Sequence, residues 1–451
     1  MEKDGDKARQ SASLCRDTLK ARQLFSMADG VRASRLRPSS TTTICHMGSD
    51  RTMPRPAFAR WLAQTNDVTQ IFLSAGQAPD LINMAGGLPD PTTWPVAELS
   101  ALAASAVGDH TTEALGYGPI EGLPALRDAL AARFSTPELT LTRANVLVTT
   151  GGMQALDLIG KALLEECGLI AAQTPAYLGA LDAWRPRLPR YRTMRLEAPD
   201  FDPIAGFAGA QFAYTVPNFS NPTGRLVGLD SRRAMVAAAE TTGTWLVEDD
   251  PYGTLYYDAA PLPRMLTLSG AGQSGVYAGP VVYLGTLSKE LAPGFRIGWV
   301  IAAPEMIAAL TAAKQGADMC TSGLSQRVAL KAFETGLVDR INPGILSLYR
   351  SRRDALCETM TEHLAQYFDW QIPVGGMFVW ATAKDPALDT DRLLRQALKC
   401  GVGITPSSVF DPHGEDRRSI RINFTLNAPD RLAEGVRRLT RAIEATLAAR
   451  D

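Results

Sequence analysis

A largely parallel α/β sheet flanked by helices, followed by a smaller α/β C-terminal domain, is the fold this sequence predicts. From Asn145 to about residue 302, short β-branched or apolar runs alternate with longer stretches of helical period, as expected for strands buried on both faces. After about residue 340 the grain changes to a long charged helix, paired strands and a closing helix. A chain of 451 residues, 45% hydrophobic and 21% charged, has ordinary globular composition and is too long for one simple core.

The elements follow in order. Residues 1–52 are rich in Ser, Thr, Arg and Lys, and their apolar residues hold no sustained period. They are expected to stand outside the fold, as a disordered tail or the product of a start codon set too early. A transit peptide would share the Arg and Ser, but Glu2, Asp4, Asp6, Asp17 and Asp29 argue against one. Strands are predicted at 145–150, 169–172, 211–216, 244–247, 281–284 and 297–302, each a short apolar run. Leu156, Ile159 and Leu163 fall at helical spacing within 153–166. In the second half the predicted order is a helix over 346–367, strands at 376–381, 401–404 and 419–425, and a helix over 429–449.

Charge and composition narrow the function. A net charge of −1, from 46 basic and 47 acidic residues, gives no electrostatic footprint for nucleic acid or an anionic membrane. No window approaches the ~18 uninterrupted apolar residues of a membrane span. Six cysteines without paired spacing and four scattered histidines support neither a disulfide framework nor a zinc site. The expected setting is cytoplasmic and reducing.

In open parallel sheets ligands bind at the carboxyl ends of strands, and this chain places a chemical residue after nearly every strand. The first is followed by Thr149-Thr-Gly-Gly152-Met153, which opens a helix: glycines admit close backbone approach, and helix N-terminal N–H groups suit a phosphate. Taken alone it also reads as an ordinary strand-to-helix turn. Asn221-Pro-Thr-Gly follows the third strand, and reads by itself as a plain Asn-Pro turn. The fourth ends in Glu248-Asp249-Asp250-Pro-Tyr252, where adjacent buried carboxylates call for a cation. The fifth delivers Thr286, Ser288 and Lys289, with Arg296 seven residues beyond Lys289. Burial and that neighbouring charge would lower the lysine's pKa and make it a nucleophile toward a carbonyl; a surface lysine after a strand is the plain alternative.

Asn221-Pro-Thr-Gly, Asp249-x-x-Tyr252, Ser288-Lys289-x6-Arg296, Gly375-Gly-Met-Phe-Val-Trp and Ser-Ile-Arg421-Ile-Asn-Phe, in this order, resemble the class I/II aminotransferases of the fold-type-I pyridoxal-phosphate enzymes. Ala85-Gly-Gly87-Leu-Pro-Asp-Pro and Glu-Asp-Asp-Pro-Tyr are further similar to the 2-aminoadipate/kynurenine branch. The resemblance covers residues 55 to 447. It implies an enzyme that moves an amino group from an L-amino acid to a 2-oxo acid, 2-oxoglutarate by expectation, in ping-pong fashion. A lyase or decarboxylase on the same scaffold stays open, as does a ligand-sensing regulator domain, though 1–52 is too short and aperiodic for a DNA-binding module.

Residue by residue, the resemblance implies that Lys289 binds pyridoxal 5'-phosphate covalently and then shuttles the substrate proton. Asp249 would pair with the pyridinium nitrogen, Asn221 and Tyr252 would bond the ring oxygen, and Tyr177 would stack on the ring. The phosphate would rest on the Gly152 and Met153 amides with Thr286 and Arg296. Arg421 would clamp the substrate carboxylate, with Asn221 and Gly87 beside it, the side-chain pocket being built around Arg60 to Gly87. Tyr117 would reach a neighbouring subunit's phosphate, making a homodimer with shared sites. The implied division is an N-terminal arm with part of the small domain over 53–95, a cofactor-binding large domain over 96–340 and a small domain over 341–451. One departure stands out: Gly152-Met153 replaces the usual Ser-Gln pair, removing side-chain contacts to the phosphate.

Overall fold

The computed structural model describes residues 57–64, 80–198 and 200–449. The expectation for 1–52, and the pocket-forming stretch from 65 to 79, therefore lie outside the described residues. The chain divides into two units between Ala63 and Gln64, and a 3-10 turn covers Arg60–Gln64.

The second unit is built on a seven-stranded sheet: β1 (Val146–Thr149), β2 (Leu169–Gln173), β3 (Arg190–Met194), β4 (Phe212–Thr215), β5 (Trp245–Asp249), β6 (Val281–Thr286) and β7 (Gly298–Ile301). Their order across the sheet is β1-β7-β6-β5-β4-β2-β3. All neighbours run parallel except β7, which is antiparallel to both β1 and β6. β1, β4 and β6 are buried along their whole length, which is why they read as continuous apolar runs. β3 escaped prediction because Arg-Tyr-Arg-Thr-Met has no such run. It is one of the sheet's two outer strands and, unlike β1 at the other edge, buries little besides Met194, so its sequence is free to be polar.

Helices cover the sheet, among them α1 (Gly152–Leu163) after β1 and α2 (Pro304–Gln315) after β7. The long α3 (Leu337–His363) begins before the expected Leu346 and passes through Pro343. Proline costs a helix one hydrogen bond and a steric adjustment; here buried Leu337 and Val338 secure the first turn regardless.

A second, four-stranded antiparallel sheet comprises β8 (Phe368–Trp370), β9 (Phe378–Ala383), β10 (Thr405–Pro406) and β11 (Ser419–Asn423), in the order β10-β11-β9-β8. Ile420 and Ile422 share a core with Val379, Ala381, Leu356 and Met360, and with Val436 and Ile443 of α4 (Pro429–Ala448). Period-two alternation turns Arg421 to the opposite face. A short parallel pairing of Ile82–Asn83 with Val402–Gly403 ties residues 82–83 to this sheet's neighbourhood.

Asn145 joins β1 to its surroundings. Its amide donates to the carbonyls of Tyr277 and Ala302, each at 2.9 Å, and the side chain is fully buried. Asn145→Ala strands both carbonyls and should cost about 3 kcal/mol, read as a lower urea midpoint with unchanged slope.

Candidate active site

The predicted residues converge because three strand ends meet at one glycine. Gly298, the first residue of β7, is the register partner of Thr149 in β1 and of Thr286 in β6. A Cβ there would sit 2.8 Å from the Gly151 carbonyl carbon and 2.9 Å from the Gly152 nitrogen, closer than atoms pack. The turn after β1 therefore lies directly against the strand pair that leads to Lys289. Gly151 adopts φ +81°, a conformation that glycine takes without strain, and the Arg296 guanidinium fills the space where a side chain would be. Gly152 and Met153 begin α1, so their N–H groups belong to the first turn, which has no carbonyl partners within the helix.

Lys289 follows β6 and donates to the Gly87 carbonyl at 2.7 Å. Burial, with the positive charges of Arg421 and Arg296, lowers its amine to about 8. Thr286 Oγ1 donates to the Ile297 carbonyl at 2.9 Å and lies 2.9 Å from Ser288 Oγ. Arg421 is buried on β11 and donates to Asn221 Oδ1 at 2.6 Å, and also to the Ala85 carbonyl. Its guanidinium stands 4.4 Å from the Phe378 ring centroid and 4.8 Å from that of Phe410. Its Nε finds no hydrogen-bond partner. Among the described residues, neither Arg421 nor Arg296 forms an ion pair.

Asp249 ends β5, buried, and accepts from the Tyr214 hydroxyl at 2.7 Å. Burial pushes its carboxyl up to about 7, the Tyr214 bond pulling down and Asp250 pushing further up. Asp250 faces elsewhere: it accepts from Asn218 at 2.7 Å and from the Tyr283 hydroxyl at 3.1 Å. Asn221 donates to the Tyr252 hydroxyl at 3.4 Å. Tyr177 precedes a helix, with its hydroxyl 3.7 Å from Met153 Sδ, and burial drives its phenol up to about 12. The charges of Asp249, Arg421 and Arg296 all act on Tyr177, so these residues share one neighbourhood. Gly87 lies against Phe378, whose ring a Cβ would meet at 2.8 Å. Tyr117 stands apart from the cluster's contacts, 89% exposed.

Sequence reasoning missed Tyr214, Phe410 and the Ala85 carbonyl. Tyr214 had a signal: a tyrosine in an otherwise buried strand needs a partner for its hydroxyl. The Ala85 carbonyl had none, since a backbone group leaves no mark in the side-chain pattern.

Asp249 and Lys289 both reach their working forms as pH rises, the carboxylate through about 7 and the neutral amine through about 8, and the lysine is the easier to read. In cofactor-free protein, capture of Lys289 by a small aldehyde with borohydride should rise with pH through a midpoint near about 8, because the neutral amine is the nucleophile. Arg421→Met removes a neighbouring cation, favours the ammonium form and should move that midpoint upward. Peptide mapping of the labelled site across pH measures both.

The family model described as aminotransferase class I and II matches residues 80–439. The chain is 35% identical over 382 residues to aromatic-amino-acid aminotransferase 1 of Thermococcus litoralis, covering 82% of this chain and 89% of that protein. It is 35% identical over 383 residues to 2-aminoadipate transaminase of Thermus thermophilus, covering 83% and 93%. The crystal structure of Pyrococcus horikoshii kynurenine aminotransferase in complex with PMP superposes with a TM-score of 0.79 at 31% identity, covering 86% of this chain and 97% of that one. With a match to the family model across most of its length, two curated relatives at 35% identity and the same α/β architecture, this chain belongs to the class I and II aminotransferases, enzymes that depend on pyridoxal phosphate.

Proposed function

We propose that the cluster around Lys289 is where this aminotransferase takes the amino group of an L-amino acid and passes it to 2-oxoglutarate, in two half-reactions that use one pocket. The observation that carries the reading is Arg421: a buried guanidinium with no described carboxylate partner, close enough to Lys289 to lower its amine. An unpaired buried cation is costly, and a ligand carboxylate relieves it.

The residues suit the cofactor. The glycine-lined turn at α1 admits a phosphate without a side chain in the way, unpaired Arg296 supplies charge beside it, and Asp249 lacks a cation, which a protonated ring nitrogen would provide. Pyridoxal phosphate, when bound, supplies a carbonyl that takes up the amino group and a ring that accepts electrons. Lys289 holds it and then moves a proton to and from the substrate Cα. Asp249, kept in place by Tyr214, keeps the ring nitrogen protonated. Asn221 and Tyr252 would bond the ring oxygen, and Tyr177 would stack on the ring. Arg421 grips the α-carboxylate with its planar fork and so fixes which bond at Cα is broken. Gly87 sits where a bulkier residue would displace Phe378 from beneath Arg421.

On this reading residues 96–340 form the large domain, 341–451 the small one, and 53–95 an N-terminal arm and part of the small domain. A cytoplasmic setting belongs to the same proposal; Cys320, Cys357 and Cys400 are free thiols but Cys167 is disulfide-bonded, so the cysteines do not by themselves argue for a reducing compartment. Among the described residues no helix is long and apolar enough to cross a membrane.

The test is a panel of amino donors, including aromatic amino acids, 2-aminoadipate and kynurenine, against 2-oxoglutarate. Lys289→Ala should abolish transfer. Arg421→Lys, which replaces the fork with a point charge, should raise KM for both donor and acceptor by about tenfold or more. An Arg421→Lys enzyme with unchanged KM would remove the carboxylate clamp from this reading.

The second proposal is assembly. A tyrosine ring exposed as fully as Tyr117, on a glycine-flanked loop, supports its reaching into a second copy of the chain. A homodimer would then share its sites across a two-fold interface. Mixing inactive Tyr117→Ala and Lys289→Ala proteins should restore activity, because a mixed dimer holds one intact site. Subunit exchange without recovery would exclude the shared arrangement.

A further inference from the structure

Lys314 lies on the last turn of α2 with a fully buried side chain. A lysine is seldom so placed without a counter-charge. Its amine donates to Oδ1 of Asp318, four residues on. The other oxygen of Asp318 faces the cofactor end of the sheet: Oδ2 accepts from Thr150 Oγ1 at 2.7 Å and from Gln154 Nε2 at 2.6 Å. Gln154 Oε1 in turn accepts from the Thr150 N–H at 2.8 Å, and Thr150 Oγ1 lies 3.1 Å from Thr321 Oγ1. Thr150 and Gln154 bracket Gly151, Gly152 and Met153.

The consequence depends on what those three residues lack. Gly152 and Met153 have no side-chain donor for a phosphate, and the flanking hydroxyl and amide that could have supplied one are bonded backwards, to Asp318. What the turn can offer is therefore its N–H groups, and their direction depends on what holds the turn from behind. A carboxylate behind a phosphate site would also repel the ligand, and Lys314 cancels that charge. Burial pushes the Asp318 carboxyl up, but the bonds from Lys314, Thr150 and Gln154 outweigh it and hold it below the usual carboxylate range.

We propose that the Lys314–Asp318 ion pair is a positioning device that aims the Gly151–Met153 turn, and thereby sets the affinity for the phosphate of the cofactor. The inference rests on the assignment of that turn to the phosphate. The pair touches neither substrate nor cofactor; it acts through Thr150 and Gln154.

The experiment measures the dissociation constants of the cofactor-free full chain for pyridoxal phosphate and for pyridoxal, which has the carbonyl and ring but no phosphate. Asp318→Asn leaves one acceptor oxygen where two are used, so it cannot serve Lys314 and the turn together. It should weaken pyridoxal phosphate about tenfold while pyridoxal changes less than about twofold. Lys314→Met strands a carboxylate behind the turn and should do more harm, and adding Asp318→Asn to it should recover part of the loss, since the stranded charge is gone. Thr150→Val, which keeps shape but removes the hydroxyl, should repeat the Asp318→Asn result and serves if Lys314→Met does not fold. Arg296→Met reads the phosphate assignment separately. If Arg296→Met lowers the preference for the phosphorylated ligand and neither Asp318→Asn nor Thr150→Val does, the positioning role is overturned and the assignment stands. If none of them changes the preference, the turn is not the phosphate site. Equal weakening of both ligands by Asp318→Asn would make the pair a general structural support and overturn the proposal.

Discussion

Arg421 carries a positive charge into a place nearly free of water, and none of the described carboxylates answers it. The rest of the site is arranged around that imbalance. Two aromatic faces, the Ala85 carbonyl and Asn221 Oδ1 substitute in part for an anion. Burial pulls the guanidinium down to about 10, which leaves it charged at neutral pH. The same charge bears on Lys289 and helps to keep its amine deprotonated enough to react. On the proposed reading, one interaction would couple recognition of a carboxylate to activation of the nucleophile: the cation that receives the substrate also prepares the amine that meets it. The backbone from Ala85 to Gly87 belongs to this arrangement, with one carbonyl on each of the two cations.

Two neighbouring carboxylates show how strand geometry separates roles that sequence leaves adjacent. Asp249 and Asp250 differ by one position, so their side chains leave the end of β5 in different directions. Asp249 meets Tyr214 on the next strand, a neutral donor, and remains a carboxylate in want of a cation. Asp250 is satisfied by Asn218 and Tyr283, with Arg264 Nε 3.7 Å away. The first is left available, the second is consumed by structure.

Much of this was legible before any coordinates. The central strands announced themselves because full burial demands unbroken apolar runs, and the residues at their ends stood out because a parallel sheet gathers its chemistry at one edge. Lys289, Asp249, Asn221, Tyr252 and Arg296 were named on that basis and Arg421 through the family resemblance, and the structure brings them to one neighbourhood. What stayed hidden had physical reasons. β3 is half exposed and needs no apolar signature. The helix start at Leu337 was masked by Pro343, whose local cost is outweighed by packing that a local rule does not see. The Lys314–Asp318 pair joins the end of one helix to a turn more than 160 residues earlier, and long-range pairing leaves no periodicity to detect.

Gly298 has a consequence for how such an enzyme could change its diet. At Gly298 the sheet edge is packed to the point where one added methyl group would press on the Gly151–Gly152 backbone, and Gly285 is walled in by Trp299 in the same way. Variation at Gly298 and Gly285 is closed by volume alone, whereas a Cβ at Gly152 would meet nothing within 4 Å. On the proposed reading, new substrates would be accommodated by residues other than these two glycines, because a side chain at either would disturb the strand pair behind Lys289 before it altered what the pocket holds.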